Sequence, residues 1–265
     1  MEGSKEIEEL NKKFAEYEGE YSEKEKNLGF ELIDPNSLSF ESFLGDGTSA
    51  LVYKGMYKDK KVAIKVLKDS ITPQLFSDFK KELRVMSRVR GDMIVGFYGI
   101  CLRPKFCVLM EYCANGSLFH LMKNPDVRFD WDLTFNLAQQ ILEALAFLHD
   151  SEPQIVHRDL KSLNILITDT YQVKLCDFGL SRQTSRDSKH SDGSQINNTF
   201  STLYNCRGTY VYTAPEVYFK EKMYTDKSDV FSLGVILWEL LMRCLTGEYV
   251  RPYSEHKNII MDYQV

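Results

Sequence analysis

The segment IVHRDLKSLNILI, from Ile155 to Ile167, limits most tightly what this chain can fold into. His157, Arg158, Asp159, Lys161 and Asn164 sit there between two apolar flanks. A buried strand would not hold such a run, because charges taken from water without partners are costly. A free surface loop would not need isoleucine and leucine packed so closely around it. The chain must build a loop whose ends are anchored in a core and whose polar groups are held in place.

A core is available. The chain has 265 residues, 43% of them apolar and 27% charged, which suits one large or two small soluble domains. A net charge of −5 offers no basic surface for nucleic acid. Six cysteines lie mostly in apolar runs with no CxxC pair, the pattern of free buried thiols in a reducing, cytoplasmic compartment. The acidic N-terminus has no apolar segment of the kind that starts a signal peptide. The longest apolar run, Val230–Met242, is shorter than the roughly 20 residues a membrane helix needs, and reads as a helix buried in a globular core.

Residues 1–29 stand apart, with nine acids and five bases. Ile7, Leu10, Phe14 and Tyr17 recur at helical spacing, giving an amphipathic helix that is either a solvated leader or a docking element. Asp34–Ser37 is a turn cluster and a boundary. Strand-like runs follow to about Arg103, interrupted by one helix that Thr72 and Pro73 would start. Beyond Gly116 helical patterns dominate, with WDLTFNLAQQILEALAFLHD as one long amphipathic helix. NILIT and QVKLCD are β-like runs either side of the turn DTY. Thr184–Thr202 is poor in apolar residues and reads as a long loop.

Several residues carry chemistry. Gly45 and Gly47 fit a loop that approaches a phosphate closely, and fit a plain hairpin turn as well. In VAIKVL, Val62, Ile64 and Val66 share one face of a strand, while Ala63, Lys65 and Leu67 share the other. Glu82 interrupts an apolar helical stripe of Leu75, Phe79, Met86 and Val89, so it needs a cation, and Lys65 can supply one. Asp159 can take a proton from a hydroxyl, Lys161 places positive charge beside it, and Asn164 and Asp177 offer hard oxygen ligands of the kind Mg²⁺ prefers.

Taken in order, these segments resemble the eukaryotic protein kinases from about Ser39 onward. The likeness rests on the glycine loop at Gly45, Lys65 in VAIK, Glu82, HRDLKSLN, DFG at Asp177–Gly179, APE at Ala214–Glu216 and SDVFSLG at Ser228–Gly234. It implies an α+β, bilobal kinase-like fold. An acidic, partly helical extension would span 1–36, a β-rich N-lobe about 37–112, and a larger helical C-lobe about 113–265.

The resemblance also implies roles. Lys65, paired to Glu82, would contact the phosphates of ATP under Gly45 and Gly47. Asn164 and Asp177 would hold Mg²⁺. Asp159 would be the catalytic base, with Lys161 and Thr209 beside it. Leu44, Val52, Ala63 and Leu166 would sandwich adenine, with Met110 as gatekeeper and the backbones of Glu111 and Cys113 bonding the base. Met86, Phe97, His157 and Phe178 would stack as a spine tied to Asp229. Lys161 and Thr209 follow the Ser/Thr pattern, whereas LMEYCANGSL is closer to tyrosine kinases. That mixture is similar to the tyrosine-kinase-like group of Ser/Thr kinases. The partner implied is a protein bearing Ser or Thr, with an activating kinase or autophosphorylation acting within 181–207 and Arg158 pairing the phosphate; Ser201 and Thr202 are the foremost acceptors.

There are departures. Ala50 stands at the third glycine position and Phe231 where tryptophan is usual. The chain stops at NIIMDYQV, where the family continues with further helices and an arginine for Glu216, so an incomplete C-lobe is expected. This leaves a second expectation, a catalytically impaired module that binds or scaffolds. The intact set of Lys65, Glu82, Asp159, Asn164 and Asp177 argues against it.

Overall fold

The computed structural model describes residues 2–22, 29–47, 50–68, 83, 86–177, 182–184, 210–219 and 224–255. The chain divides into two compact units, Met1–Cys113 and Ala114–Val265. The kinase-like α+β expectation is met: one unit is built on an antiparallel sheet and the other on helices.

In the first unit, helix α1 (Glu2–Ala15) precedes strands β1 (Leu38–Asp46), β2 (Ala50–Tyr57), β3 (Lys60–Leu67), β4 (Phe97–Cys101) and β5 (Cys107–Glu111). They form one sheet in the order β1-β2-β3-β5-β4. The β2–β3 hairpin turns on Lys58 and Asp59, both at positive φ (46° and 63°), as a two-residue turn with matching twist requires. Gly55 is demanded by packing: a Cβ there would lie 2.2 Å from the Ser39 carbonyl oxygen. The alternation read in VAIKVL is present. Val62, Ile64 and Val66 join one cluster with Phe40, Tyr53 and Leu109, and Leu67 joins another with Ala50, Leu83 and Val108.

Helix α1 covers the first cluster. Leu10 and Phe14 are buried in it, and the Phe14 ring meets Phe40 edge-on at 5.0 Å. The Asn11 carboxamide donates to the Phe40 carbonyl (2.9 Å) and accepts from its N–H (2.7 Å), satisfying the outward groups of an edge strand. Residues 31–33 do the same for β4: Ile100 N–H donates to the Glu31 carbonyl, and Ile33 N–H to the Ile100 carbonyl. The turn at Asp34–Ser37 is a short 3-10 segment capped by the Asp34 carboxylate. The helix start at Thr72–Pro73 lies outside the described residues; Leu83 and Met86, further along, are helical and buried.

The second unit contains α2 (Leu118–Lys123), α3 (Trp131–Asp150), β6 (Gln154–Val156), β7 (Ile165–Ile167), β8 (Val173–Leu175), β9 (Arg182–Thr184), α4 (Pro215–Tyr218) and α5 (Asp226–Thr246). The long helix read from the sequence is α3, started by an Asp130 cap and burying Leu137, Ile141, Ala144 and Leu148. NILIT and QVKLCD pair as the β7–β8 hairpin. Helix α5 begins with a capping box of Thr225 and Ser228 and ends at Gly247 in the left-handed region (φ 77°). The apolar run Val230–Met242 was read as a helix buried in the core, and it lies in α5. Its burial is one-sided: Leu233, Ile236 and Leu240 face inward, while Val230 and Leu245 are 48% and 64% exposed. The helical period puts these residues on different sides.

The inward stripe of α5 also carries Asp229, Glu239 and Arg243, all buried. Each one fixes a different loop. Asp229 holds the loop after β6. Glu239 holds Ser162 and Tyr212. Arg243 donates to the backbone carbonyls of Met122 (2.7 Å), Val127 (2.8 Å), Asn124 (3.2 Å) and Gly247, with its guanidinium over the Phe129 ring.

Candidate active site

The opening segment is organised from Asp229 outward. Its buried carboxylate accepts the backbone N–H of His157 (Oδ2, 2.8 Å) and of Arg158 (Oδ1, 2.9 Å), and lies 3.0 Å from His149 Nε2. These bonds hold Arg158 at φ 70°, a conformation that costs energy for a non-glycine residue unless its surroundings impose it. The fully buried His157 ring accepts from Asp159 N–H at Nδ1 (3.3 Å) and donates from Nε2 to the Cys176 carbonyl (3.0 Å). The apolar flanks do the anchoring: β6 pairs with β9, and β7 pairs with β8.

Asp159, Lys161 and Asn164 are brought into direct contact. Lys161 Nζ lies 2.8 Å from Asp159 Oδ2. Asn164 Nδ2 donates to Asp159 Oδ2 (3.0 Å) and to its backbone carbonyl (2.7 Å). Both donors converge on one carboxylate oxygen. The other, Oδ1, is buried and has no hydrogen-bond partner among the described residues. Such an orphan acceptor is costly unless a ligand uses it. Burial pushes the Asp159 carboxyl up; the Lys161 ammonium pulls it back, and the Asp177 carboxylate raises it again.

Asp177, at φ 63°, is thus close enough to Asp159 for the two carboxylates to repel. Among the described residues no group of three carboxylate, histidine or cysteine side chains could hold a metal ion alone. A hard divalent cation such as Mg²⁺ takes one or two protein oxygens and completes its shell with water and phosphate. Asn164 turns its amide nitrogen to Asp159, which leaves its side-chain oxygen, Oδ1, as the hard donor. The donors present fit that cation.

In the first unit, strand register places the other predicted residues. Lys65 lies opposite Val52 and Val108, and Ala63 opposite Lys54 and Met110. Directly opposed residues share a face. Val52, Ala63, Lys65 and Met110 are therefore on one side of the sheet, with Lys65 half-buried. Gly45 pairs with Val52, and Gly47 N–H donates to the Ala50 carbonyl (2.9 Å). A Cβ on Gly45 would meet nothing within 4 Å, so the fold itself does not require glycine there. Leu44 is 45% exposed. Glu111 closes the end of β5, its N–H donating to the Gly96 carbonyl (2.7 Å) and its carboxylate accepting from Gly96 N–H (3.0 Å). Cys113 is buried just beyond, and Leu166 is half-buried on β7. Glu82, Thr209, Phe178 and the acceptors Ser201 and Thr202 lie outside the described residues.

One cluster was not anticipated. Glu239, fully buried, accepts from Tyr249 Oη (2.8 Å), Tyr212 Oη (3.0 Å) and Ser162 Oγ (3.3 Å). It ties the loop next to Lys161 to α5. Its signal was a lone acid inside the apolar run of α5, the same anomaly that singled out Glu82.

A five-stranded antiparallel sheet in one unit, and a helical unit presenting a buried Asp–Lys–Asn cluster, are together the arrangement of a kinase-like α+β protein. The chain belongs to the protein kinase domain family, whose model matches residues 38–264. It is 46% identical to stress-activated protein kinase alpha of Dictyostelium discoideum over 88% of this chain and 35% of that protein. It is 45% identical to a probable serine/threonine-protein kinase of the same organism over 88% of this chain and 22% of the relative. A probable tyrosine-protein kinase, also from that organism, is 32% identical over 91% of this chain and 70% of its own length. The chain spans about a third or less of the first two relatives.

Proposed function

We propose that this chain is an ATP-dependent protein kinase that transfers the γ-phosphoryl group to serine and threonine hydroxyls of intracellular signalling proteins. The observation that carries this reading is Asp159. One of its oxygens is held by Lys161 and Asn164, and the other is buried with no hydrogen-bond partner among the described residues. Oδ1 receives the hydrogen bond of the substrate hydroxyl and then its proton. Lys161 keeps Oδ2 occupied and adds positive charge beside the transferring group. Asn164 and Asp177 would hold Mg²⁺, which supplies charge neutralisation at the phosphates.

Lys65, paired to Glu82, contacts the α- and β-phosphates. The backbone at Gly45 and Gly47 covers them, with no side chain in the way. Leu44, Val52, Ala63 and Leu166 enclose the adenine, Met110 borders it, and the backbones of Glu111 and Cys113 bond its edge. Thr209 orients Lys161 and Asp159. Serine and threonine are favoured because Lys161 follows the Ser/Thr pattern and two of the relatives, 45% and 43% identical, are named probable serine/threonine-protein kinases. Phosphorylation within 181–207, by an activating kinase or in cis, engages Arg158. Free thiols at all the described cysteines support a reducing, cytoplasmic setting. A purely scaffolding role is not favoured, because Asp159, Lys161 and Asn164 remain assembled for transfer.

The test is γ-phosphoryl transfer from ATP·Mg²⁺ to a mixed Ser/Thr/Tyr peptide pool, followed by phosphoamino-acid analysis. Transfer to Ser and Thr should fall by about 10²-fold or more in Asp159→Ala, the scale of a lost general base. Equal transfer by both proteins would refute the catalytic reading, and phosphotyrosine alone would refute the specificity.

A further inference from the structure

Two buried thiols face each other in the first unit and play no part in the proposed reaction. Cys101 ends β4, Cys107 begins β5, and the antiparallel register sets them directly opposite. Opposed Cα atoms in such ladders are about 4.5–5.5 Å apart, inside the range a disulfide spans. Both residues are fully buried and reduced. Each thiol donates to a carbonyl of the short connection, Cys101 to Arg103 and Cys107 to Lys105.

A third group marks the pair as more than packing. Tyr21, from the segment after α1, places its hydroxyl 3.5 Å from Cys101 Sγ and 3.0 Å from the Ile33 carbonyl, while accepting from Leu102 N–H at 3.2 Å. The hydroxyl has one proton and two acceptors for it. A thiolate at Cys101 would draw that proton and be stabilised by it.

We propose that Cys101 and Cys107 are an oxidisable dithiol, which a hydroperoxide closes into a cross-strand disulfide beneath the Tyr21 hydroxyl. Cys101 is the attacking sulfur. The Tyr21 hydroxyl lies 3.5 Å from its sulfur and can donate to its thiolate, whereas burial pushes the Cys107 thiol well up. The Cys101 thiolate attacks one peroxide oxygen; the S–O bond forms, the O–O bond breaks, and the departing hydroxide leaves as water with the Cys101 proton. The Cys107 sulfur then attacks the sulfenic sulfur. The S–S bond forms, the S–O bond breaks, and the second hydroxide takes the Cys107 proton. The two sulfurs lose two electrons, and hydrogen peroxide gains them as it becomes two waters.

The experiment treats the full chain with hydrogen peroxide, removes the peroxide, denatures the chain, blocks remaining thiols with iodoacetamide and measures intact mass and proteolytic fragments. The expected product carries two fewer alkyl groups than the fully alkylated chain, becomes fully alkylated after dithiothreitol and fresh iodoacetamide, and yields a fragment bridging Cys101 to Cys107. Because Cys113 shares a tryptic peptide with Cys107, fragmentation must place the bridge at Cys107. Tyr21→Phe, which keeps the ring and removes the proton, should slow closure several-fold. Full alkylation after peroxide, or a bridge to Cys113 or any other cysteine, would overturn the proposal. The mass and fragment readouts use the wild-type chain, so the bridge itself is tested without relying on a variant to fold.

Discussion

Asn164 and Asp159 are bonded twice, the Asn164 amide nitrogen reaching both the backbone carbonyl and Oδ2 of Asp159, at 2.7 and 3.0 Å. Replacing that nitrogen with oxygen sets two carboxylates face to face. Asn164→Asp should therefore cost about 10²-fold or more in phosphoryl transfer, the scale seen when one well-placed donor is lost. Steady-state kinetics beside a circular dichroism spectrum checks this; a near-wild-type rate would show that the donor is dispensable.

Glu239 gives stability a pH dependence. Burial pushes its carboxyl up to about 7 despite the three hydroxyls that bond it. Its folded pKa lies above the unfolded one, so its stabilisation is full below the ordinary carboxyl value and is lost as pH rises through about 7. Glu239→Gln stays neutral throughout. Relative to wild type it should gain up to about 3 kcal/mol between pH 4.5 and 8, by the usual 1.4 kcal/mol per pKa unit. Denaturant titrations at several pH values test this, and parallel curves for the two proteins would contradict it.

Arg243 is a buried cation whose hydrogen bonds all go to main-chain carbonyls. Arg243→Met fills similar volume but leaves those carbonyls without donors. A loss of about 2–4 kcal/mol is expected, measured by chemical denaturation. The connection between α2 and α3, which Arg243 grips, should also become a preferred site of limited proteolysis.

Phe14 tests whether the N-terminal helix belongs to the folded body. Its side chain is fully buried against Phe40. Phe14→Ala should destabilise the first unit by about 3–5 kcal/mol, as other large-to-small core changes do. Thermal denaturation followed by intrinsic fluorescence reports it. A solvated leader would show no change.

Much of this arrangement was legible in spacing. Alternation in VAIKVL set the two faces of β3, and Lys65 fell on the face it was assigned. The helical period set α3 to its ends, and the apolar brackets of Ile155–Ile167 became β6 and β7. What could not be read was what each face meets. Leu10 and Phe14 marked a stripe, but not the sheet beneath it. Arg243 looks like any charge near a helix end, because a single sequence does not say that four carbonyls converge on it. The Cys101–Cys107 pairing needs the β4–β5 register, which depends on a connection the sequence leaves undefined. Glu239 alone carried a visible anomaly, an acid in an apolar run, and the argument made for Glu82 applied to it equally.

The bonds between Ile100 and residues 31–33 have a further consequence. A strand edge left open invites a foreign peptide to add itself through main-chain hydrogen bonds. Here the chain's own backbone already occupies that position on β4, as a short parallel pairing of Leu32 with Ile100. A partner seeking to extend the sheet from that side would first have to peel away Glu31–Ile33, and with them the carbonyl that Tyr21 binds. The outermost strand is thus closed to recruitment, and the segment that closes it also holds the hydroxyl resting on Cys101.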